Sequence, residues 1–310
     1  MKLTQSLPAI YVAKTEYLGE LCEELRHVDK VVGNLVFSPT KSNDICFALD
    51  TWLDPHIVPI ESISQAVKIL RQAGPFWYLH PISHIRRSKL IEAQLRNCPE
   101  LERSFPVDKD LPNIGVFSLL DNNTLLYCVS RKKKWPDGAC FFREDKINPP
   151  NRAYLKLWES LFLINCYPKP GDKVLDLGAS PGGWTYVMQS LGAQVTSVDK
   201  SELDSRIQRL PRIEFLKQSA FALDPNTLNE TYDWVLSDIA CYPERAYDLI
   251  QRWIQSGKAK RMIVTIKLQG KTNLSVIQSF QKIPNSRLTH LFHNKHEVTF
   301  FYPNSLWEDN

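Results

Sequence analysis

The chain has 310 residues and a mass of 35.7 kDa, a length that suggests about two domains at the usual roughly 150 residues each. A hydrophobic fraction of 43% with 11% aromatic residues excludes wholesale disorder. A net charge of +4 permits an anionic partner without demanding one.

Seven cysteines form an odd, dispersed set with no CxxC spacing. Such a set reads as free thiols in a reducing compartment, not as a disulfide framework or a zinc knuckle. The N-terminal residues lack a continuous apolar core, and no stretch approaches the roughly 18 apolar residues of a membrane span. The expectation is a cytoplasmic protein with no membrane partner, whose oligomeric state the sequence leaves open.

In chain order, AIYVA (9–13) reads as a strand and residues 15–27 as a helix. VVGNLVF (31–37) and ICFALD (45–50) read as further strands. SISQAVKILRQAG (62–74) has apolar residues at helical spacing and a glycine stop. FWYLHPI (76–82) continues as strand and SKLIEAQLRN (88–97) as helix, and NIGVFSLLDNNTLLYCVSRK folds as a hairpin at Asp121, Asn122 and Asn123. Residues 1–135 thus predict an N-terminal α+β domain. Residues 136–150 carry Pro136, Gly138, Pro149 and Pro150 and predict a linker.

The remainder, 151–310, has a clearer rhythm. A helix (151–166) leads to strand 173–180, a helix to about 191, and strands at 193–199, 213–219 and 232–238. Helix 244–255, strand 260–268 and another helix follow, and then two strands within 287–303 joined by a short turn. Strands alternating with helices predict an α/β, mostly parallel, doubly wound sheet. The closing pair, with no helix between, adds one antiparallel strand. Ligands of such sheets lie beyond the carboxyl ends of the strands.

The first strand of that sheet runs into DLGASPGGW, from Asp176 to Trp184. Glycines there let the backbone approach a ligand and present amides at a helix N-terminus. The spacing is neither GxGxxG nor a P-loop, which disfavours a dinucleotide or triphosphate. Asp199, at the end of the next strand, is placed to accept hydrogen bonds from both hydroxyls of a ribose. Glycine turn and strand-end acid together suit a nucleoside ligand without a pyrophosphate, such as S-adenosylmethionine. No HExxH or paired Cys/His spacing occurs, so no metal is expected.

VLDLGASPGGWT followed by VTSVDK resembles the cofactor site of the FtsJ-like RNA 2′-O-ribose methyltransferases. NRAYLKLWE ahead of it is similar to the RlmM subgroup, which modifies a cytidine of bacterial large-subunit ribosomal RNA. The resemblance spans about residues 135–303. It implies a Rossmann-like methyltransferase sheet with S-adenosyl-L-methionine as cofactor. The cofactor would be held by Asp176, Gly178, Ala179, Ser180, Pro181, Gly182, Gly183, Trp184, Asp199 and Asp238, with Ser219 where relatives contact adenine and often place an acid; Phe221 packs against the base or in the core. It further implies a Lys–Asp–Lys–Glu catalytic tetrad, matched by Lys156, Asp238, Lys267 and Glu297. In members of the subgroup a THUMP-like RNA-binding region precedes the catalytic domain.

Methyl transfer to a hydroxyl needs positioning and a base. A free lysine, pKa about 10.4, is neutral in only about one molecule in 2,500 at pH 7. A nearby ammonium lowers that pKa, so Lys267 is expected as base with Lys156 depressing its pKa. Glu297 is expected to orient Lys156 and the ribose hydroxyl, and Asp238 to position Lys267. For RNA, Arg131, Lys132, Lys133 and Lys134 beside Trp135 suit backbone and stacking contacts, and Arg152 suits a phosphate near the site. A second basic cluster is Arg86, Arg87 and Lys89. The alternatives are the same chemistry on tRNA or an mRNA cap, a non-catalytic RNA-binding assembly factor, and a small-molecule methyltransferase.

Overall fold

The structure is a computed structural model that describes residues 9–42, 45–107, 111–270 and 272–307. The chain divides into two compact units, Met1–Arg103 with Val107–Phe141, and Ser104–Pro106 with Phe142–Asn310. The stretch 136–150 expected as a linker is thereby shared between them.

The first unit contains β1 (Ala9–Val12), α1 (Leu18–Leu25), β2 (Lys30–Val32), β3 (Leu35–Ser38) and β4 (Asp50–Trp52). It continues with β5 (His56–Pro59), α2 (Ile63–Ala73), β6 (Trp77–Leu79), α3 (Ile85–Glu92), β7 (Gly115–Asp121) and β8 (Thr124–Cys128). Two four-stranded sheets form, in the orders β2-β3-β1-β4 and β5-β8-β7-β6. Side chains alternate across a strand, and β7 and β8 use both faces. Phe117, Leu119 and Leu125 pack with Val67, Leu70 and Ile91 of α2 and α3, while Val116, Leu126 and Cys128 pack with Ile10, Phe37 and Trp52 of the other sheet. Burial on both faces explains why these strands read as continuous apolar runs.

Several expected elements are corrected. VVGNLVF is a hairpin and not one strand, because Gly33 at φ +61° reverses the chain and pairs Val32 with Leu35. Most of 45–50 is irregular, with the strand starting only at Asp50. The helix expected at 88–97 lies at Ile85–Glu92.

The second unit contains α4 (Tyr154–Leu163), β9 (Lys173–Leu177), α5 (Gly183–Ser190), β10 (Gln194–Asp199), α6 (Ser205–Gln208), β11 (Ile213–Lys217) and β12 (Trp234–Ser237). It closes with α7 (Pro243–Gln255), β13 (Met262–Lys267), α8 (Leu274–Gln281), β14 (Arg287–Thr289) and β15 (Glu297–Tyr302). Its sheet has the order β11-β10-β9-β12-β13-β15-β14. β9 to β13 pair in parallel, and β15 runs antiparallel to both of its neighbours. The sheet is therefore the expected doubly wound one with a single reversed strand. The chain winds outward from β9 in both directions, so its crevice opens at the carboxyl ends of β9, β10 and β12. Reversal of β15 matters there: it places Glu297, the first residue of that strand, directly across from Lys267, the last residue of β13.

Candidate active site

Lys156, Asp238, Lys267 and Glu297 are scattered over the sequence, yet the fold draws them into one cluster. Lys156 lies in the first turns of α4 with only 7% of its surface exposed. Asp238 follows the last residue of β12. The Lys156 Nζ lies 2.8 Å from both carboxylate oxygens of Asp238 and 3.0 Å from Glu297 Oε1. Lys267 Nζ is 2.7 Å from Asp238 Oδ1 and donates to Glu297 Oε2. Each ammonium thus bridges both carboxylates, and each carboxylate bridges both ammonium groups. Two positive and two negative charges close into a neutral ring, which offsets the cost of burying them.

The protonation states follow. Burial favours the neutral form of Asp238, but the two lysines outweigh it and hold its pKa below the ordinary 3.8. Burial disfavours the charged form of Lys267, but Asp238 and Glu297 outweigh it and raise its pKa above 10.5. The expectation that Lys156 depresses the pKa of Lys267 is therefore corrected. Lys156 is itself balanced by the same carboxylates, so Lys267 experiences acids more strongly than it does a second base.

Thr265 belongs to this cluster and was missed from the sequence. It is buried, and its hydroxyl reaches both Asp238 Oδ1 and the Ser237 carbonyl. The signal was present: a residue two before Lys267 on a strand shares its face.

The glycine turn follows β9. Gly178 sits at φ +77°, and a Cβ there would lie 2.2 Å from Ile239 Cγ1. Gly182 sits at φ +111°, and a Cβ on Gly183 would lie 2.3 Å from Asn151 Oδ1. Gly178 and Gly182 are required by backbone sign and close packing together, and Gly183 by close packing alone. Beneath the turn, Asp176 is 1% exposed and accepts a hydrogen bond from Thr185 Oγ1 at 2.7 Å, while Ser197 Oγ meets the same hydroxyl at 2.8 Å. Burial pushes the Asp176 carboxyl up to about 7, against the lowering effect of Thr185.

Ala179 is buried, and the Ser180 hydroxyl donates to the Glu202 carbonyl. The Pro181 carbonyl accepts from the Asp204 amide. Trp184 is corrected: its indole is 3% exposed and donates to the Ala153 carbonyl at 2.9 Å, tying α5 to the start of α4. Asp199 at the end of β10 is half-buried and takes one amide on each oxygen, from Ser180 at 3.0 Å and Ser201 at 2.8 Å. Each oxygen keeps a lone pair, which is what two ribose hydroxyls require. Ser219 lies just past β11, half-exposed at the same edge. Phe221 nearby is covered on one ring face by Arg245, whose guanidinium carbon is 4.0 Å from the ring centroid.

The basic cluster before residue 135 is partly corrected. The Arg131 side chain is 3% exposed and pairs with Asp50 at 3.0 Å. Its other donors go to the carbonyls of Ile114, Lys133 and Trp135. Trp135 is buried and donates to the Leu101 carbonyl. Both residues build the first unit and neither faces outward. Lys132 and Lys133 are half-exposed, Lys134 is exposed, and Arg86 and Lys89 are exposed on α3. Arg152 is 75% exposed and pairs with Glu144 at 2.7 Å. Among the described residues no group of three His, Cys, Asp or Glu side chains suits a metal ion, and no helix is long and apolar enough to cross a membrane.

Residues 149–305, about half of the chain, match the family profile described as FtsJ-like methyltransferase. The chain belongs to the FtsJ-like methyltransferase family. A relative from Halorhodospira halophila, named Ribosomal RNA large subunit methyltransferase M, is 30% identical over 183 residues, covering 56% of this chain and 52% of its own. A Hahella chejuensis protein of the same name is 24% identical over 306 residues, with 85% and 75% covered. This FtsJ-like chain spans about half the length of the first curated relatives it matches. The family match contains the glycine turn, Asp199 and all four residues of the charged ring.

Proposed function

We propose that this FtsJ-like chain transfers a methyl group from S-adenosyl-L-methionine to a ribose 2′-hydroxyl of RNA, with large-subunit ribosomal RNA as the substrate. The observation that carries the reading is the neutral Lys–Asp–Lys–Glu ring at the same sheet edge as the glycine turn and Asp199.

The residues present fit the cofactor. Asp199 has two free acceptor sites for ribose hydroxyls, Gly178, Gly182 and Gly183 offer backbone without side chains, and Ser219, half-exposed just past β11, would face the base. When bound, S-adenosylmethionine supplies an electrophilic methyl on a positively charged sulfonium. The chain supplies the rest. Lys156 and Glu297 fix the approach of the 2′-hydroxyl, and Asp238, held between two ammonium groups, fixes Lys267. Lys267 Nζ, once neutral, would take the 2′-hydroxyl proton when the methyl passes from sulfur to oxygen and the thioether leaves. Its resting pKa is too high for that task, so it must shed a carboxylate contact or gain a cationic neighbour, either of which favours the neutral amine. The first unit would dock the RNA in a THUMP-like manner through exposed cations such as Lys134, Arg86 and Lys89.

The test is methyl transfer from labelled S-adenosylmethionine to ribosomal RNA of cells lacking the protein, with the product nucleoside identified by mass spectrometry. A 2′-O-methylated nucleoside is expected. Methylation on a base, or on tRNA alone, would overturn the substrate reading.

A further inference from the structure

We propose that Glu159 is a positioning residue for Glu297: its carboxylate clamps the turn between β14 and β15 and so sets where Glu297 meets the two lysines. Glu159 lies one turn after Lys156 on α4, on the same side of the helix. It is 2% exposed, and a carboxylate that deep survives only with strong partners. Its partners are backbone amides: Phe292 N donates to Oε1 at 2.8 Å and His293 N to Oε2 at 2.9 Å. Two charge-assisted bonds to consecutive amides fix a turn in both position and orientation.

The turn runs between β14 and β15 through residues 290–296, and further ties lie on the β15 side. Asn294 ties it to Thr299 on β15, and the Leu268 amide donates to the His296 carbonyl at 3.0 Å. Glu297 begins four residues after His293 and reaches both Lys156 and Lys267. One helix therefore supplies a lysine of the ring directly and holds an acid of the ring at second hand. The acid closing NRAYLKLWE gains a role distinct from that of its lysine.

If the clamp loosens, Glu297 drifts from Lys267, which then keeps only Asp238 as a carboxylate partner. The experiment follows the Lys267 ζ-nitrogen by NMR titration in full-length wild type, Glu159→Gln and Phe280→Leu. The last is a buried change on α8 that destabilises the same unit away from the ring. In Glu159→Gln we expect the Lys267 pKa to fall by about one unit or more. We also expect kcat to fall about 10- to 100-fold with S-adenosylmethionine affinity unchanged. Phe280→Leu should lower the melting temperature without moving the Lys267 titration. If Glu159→Gln does not fold, Glu159→Asp, too short to reach both amides, takes its place. A wild-type Lys267 titration in the folded Glu159 variant overturns the clamp, as does a fall in kcat no larger than that of Phe280→Leu. The kinetic arm rests on the methyl-transfer reading. Absence of transfer by wild type would sink that reading while the titration still decides the clamp.

Discussion

Asp176 and Asp238 are both carboxylates at the carboxyl edge of one sheet, yet their environments push them in opposite directions. Asp238 has two ammonium neighbours, and Asp176 has a hydroxyl and deep burial. The Asp176 carboxyl holds its proton to about pH 7 when folded, against an ordinary 3.8. Between those values the folded state binds more protons than the unfolded, so stability falls as pH rises, by at most about 1.4 kcal/mol per pH unit. Asp176→Asn removes that slope. Its melting temperature should gain on wild type between pH 4 and pH 7 and hold a constant difference above, as read by thermal melts across that range. Asp238 has the reverse sign: it contributes stability above its unfolded value, lost as pH falls through its lower folded value. Gly178→Ala places a Cβ against Ile239 on a left-handed backbone, which costs at least about 1–2 kcal/mol from the backbone alone. It should also weaken cofactor binding at least tenfold by calorimetry. The glycine turn and Asp199 were legible in the sequence because their chemistry is local. The state of Lys267 was not, since it depends on two carboxylates brought in from β12 and β15.

At the scale of elements, the reversed strand β15 is what completes the site. The closing strand pair with no helix between, read from the sequence, was enough to expect one antiparallel strand, and the register of β15 then sets Glu297 opposite Lys267. Shorter elements were harder to read. VVGNLVF has the composition of one strand, and only the sign of φ at Gly33 makes it two. The expected strand at 45–50 is an apolar segment buried by its surroundings without sheet pairing over most of its length. The charge run 131–134 misled for a related reason. A guanidinium that binds one buried acid and several carbonyls looks, in sequence, like any other surface cation. Arg131→Ala strands Asp50, a fully enclosed carboxylate already pushed up to about 6 by burial. The first unit should lose about 3–5 kcal/mol in denaturant unfolding. Arg131→Lys should recover little, because an ammonium cannot reproduce the fork that serves Asp50 and the carbonyls together.

At the scale of the whole molecule, an almost neutral chain concentrates its chemistry in a few places. The second unit carries the neutral ring and the glycine turn, and the first unit carries exposed cations at Arg86, Lys89 and Lys134. If the first unit docks RNA, reversing Arg86 and Lys89 to Glu should raise the Kd for ribosomal RNA and flatten its dependence on salt. Cofactor affinity should stay unchanged, as measured by binding titrations at two ionic strengths. The most direct measurement is a map of ribose 2′-O-methyl marks on large-subunit ribosomal RNA after treatment with wild type or with Lys267→Ala, each first shown to bind S-adenosylmethionine equally. One new mark that is present with wild type and reduced about 100-fold or more with Lys267→Ala is the expected result. A mark of equal strength with both proteins, or no mark with either, would contradict it.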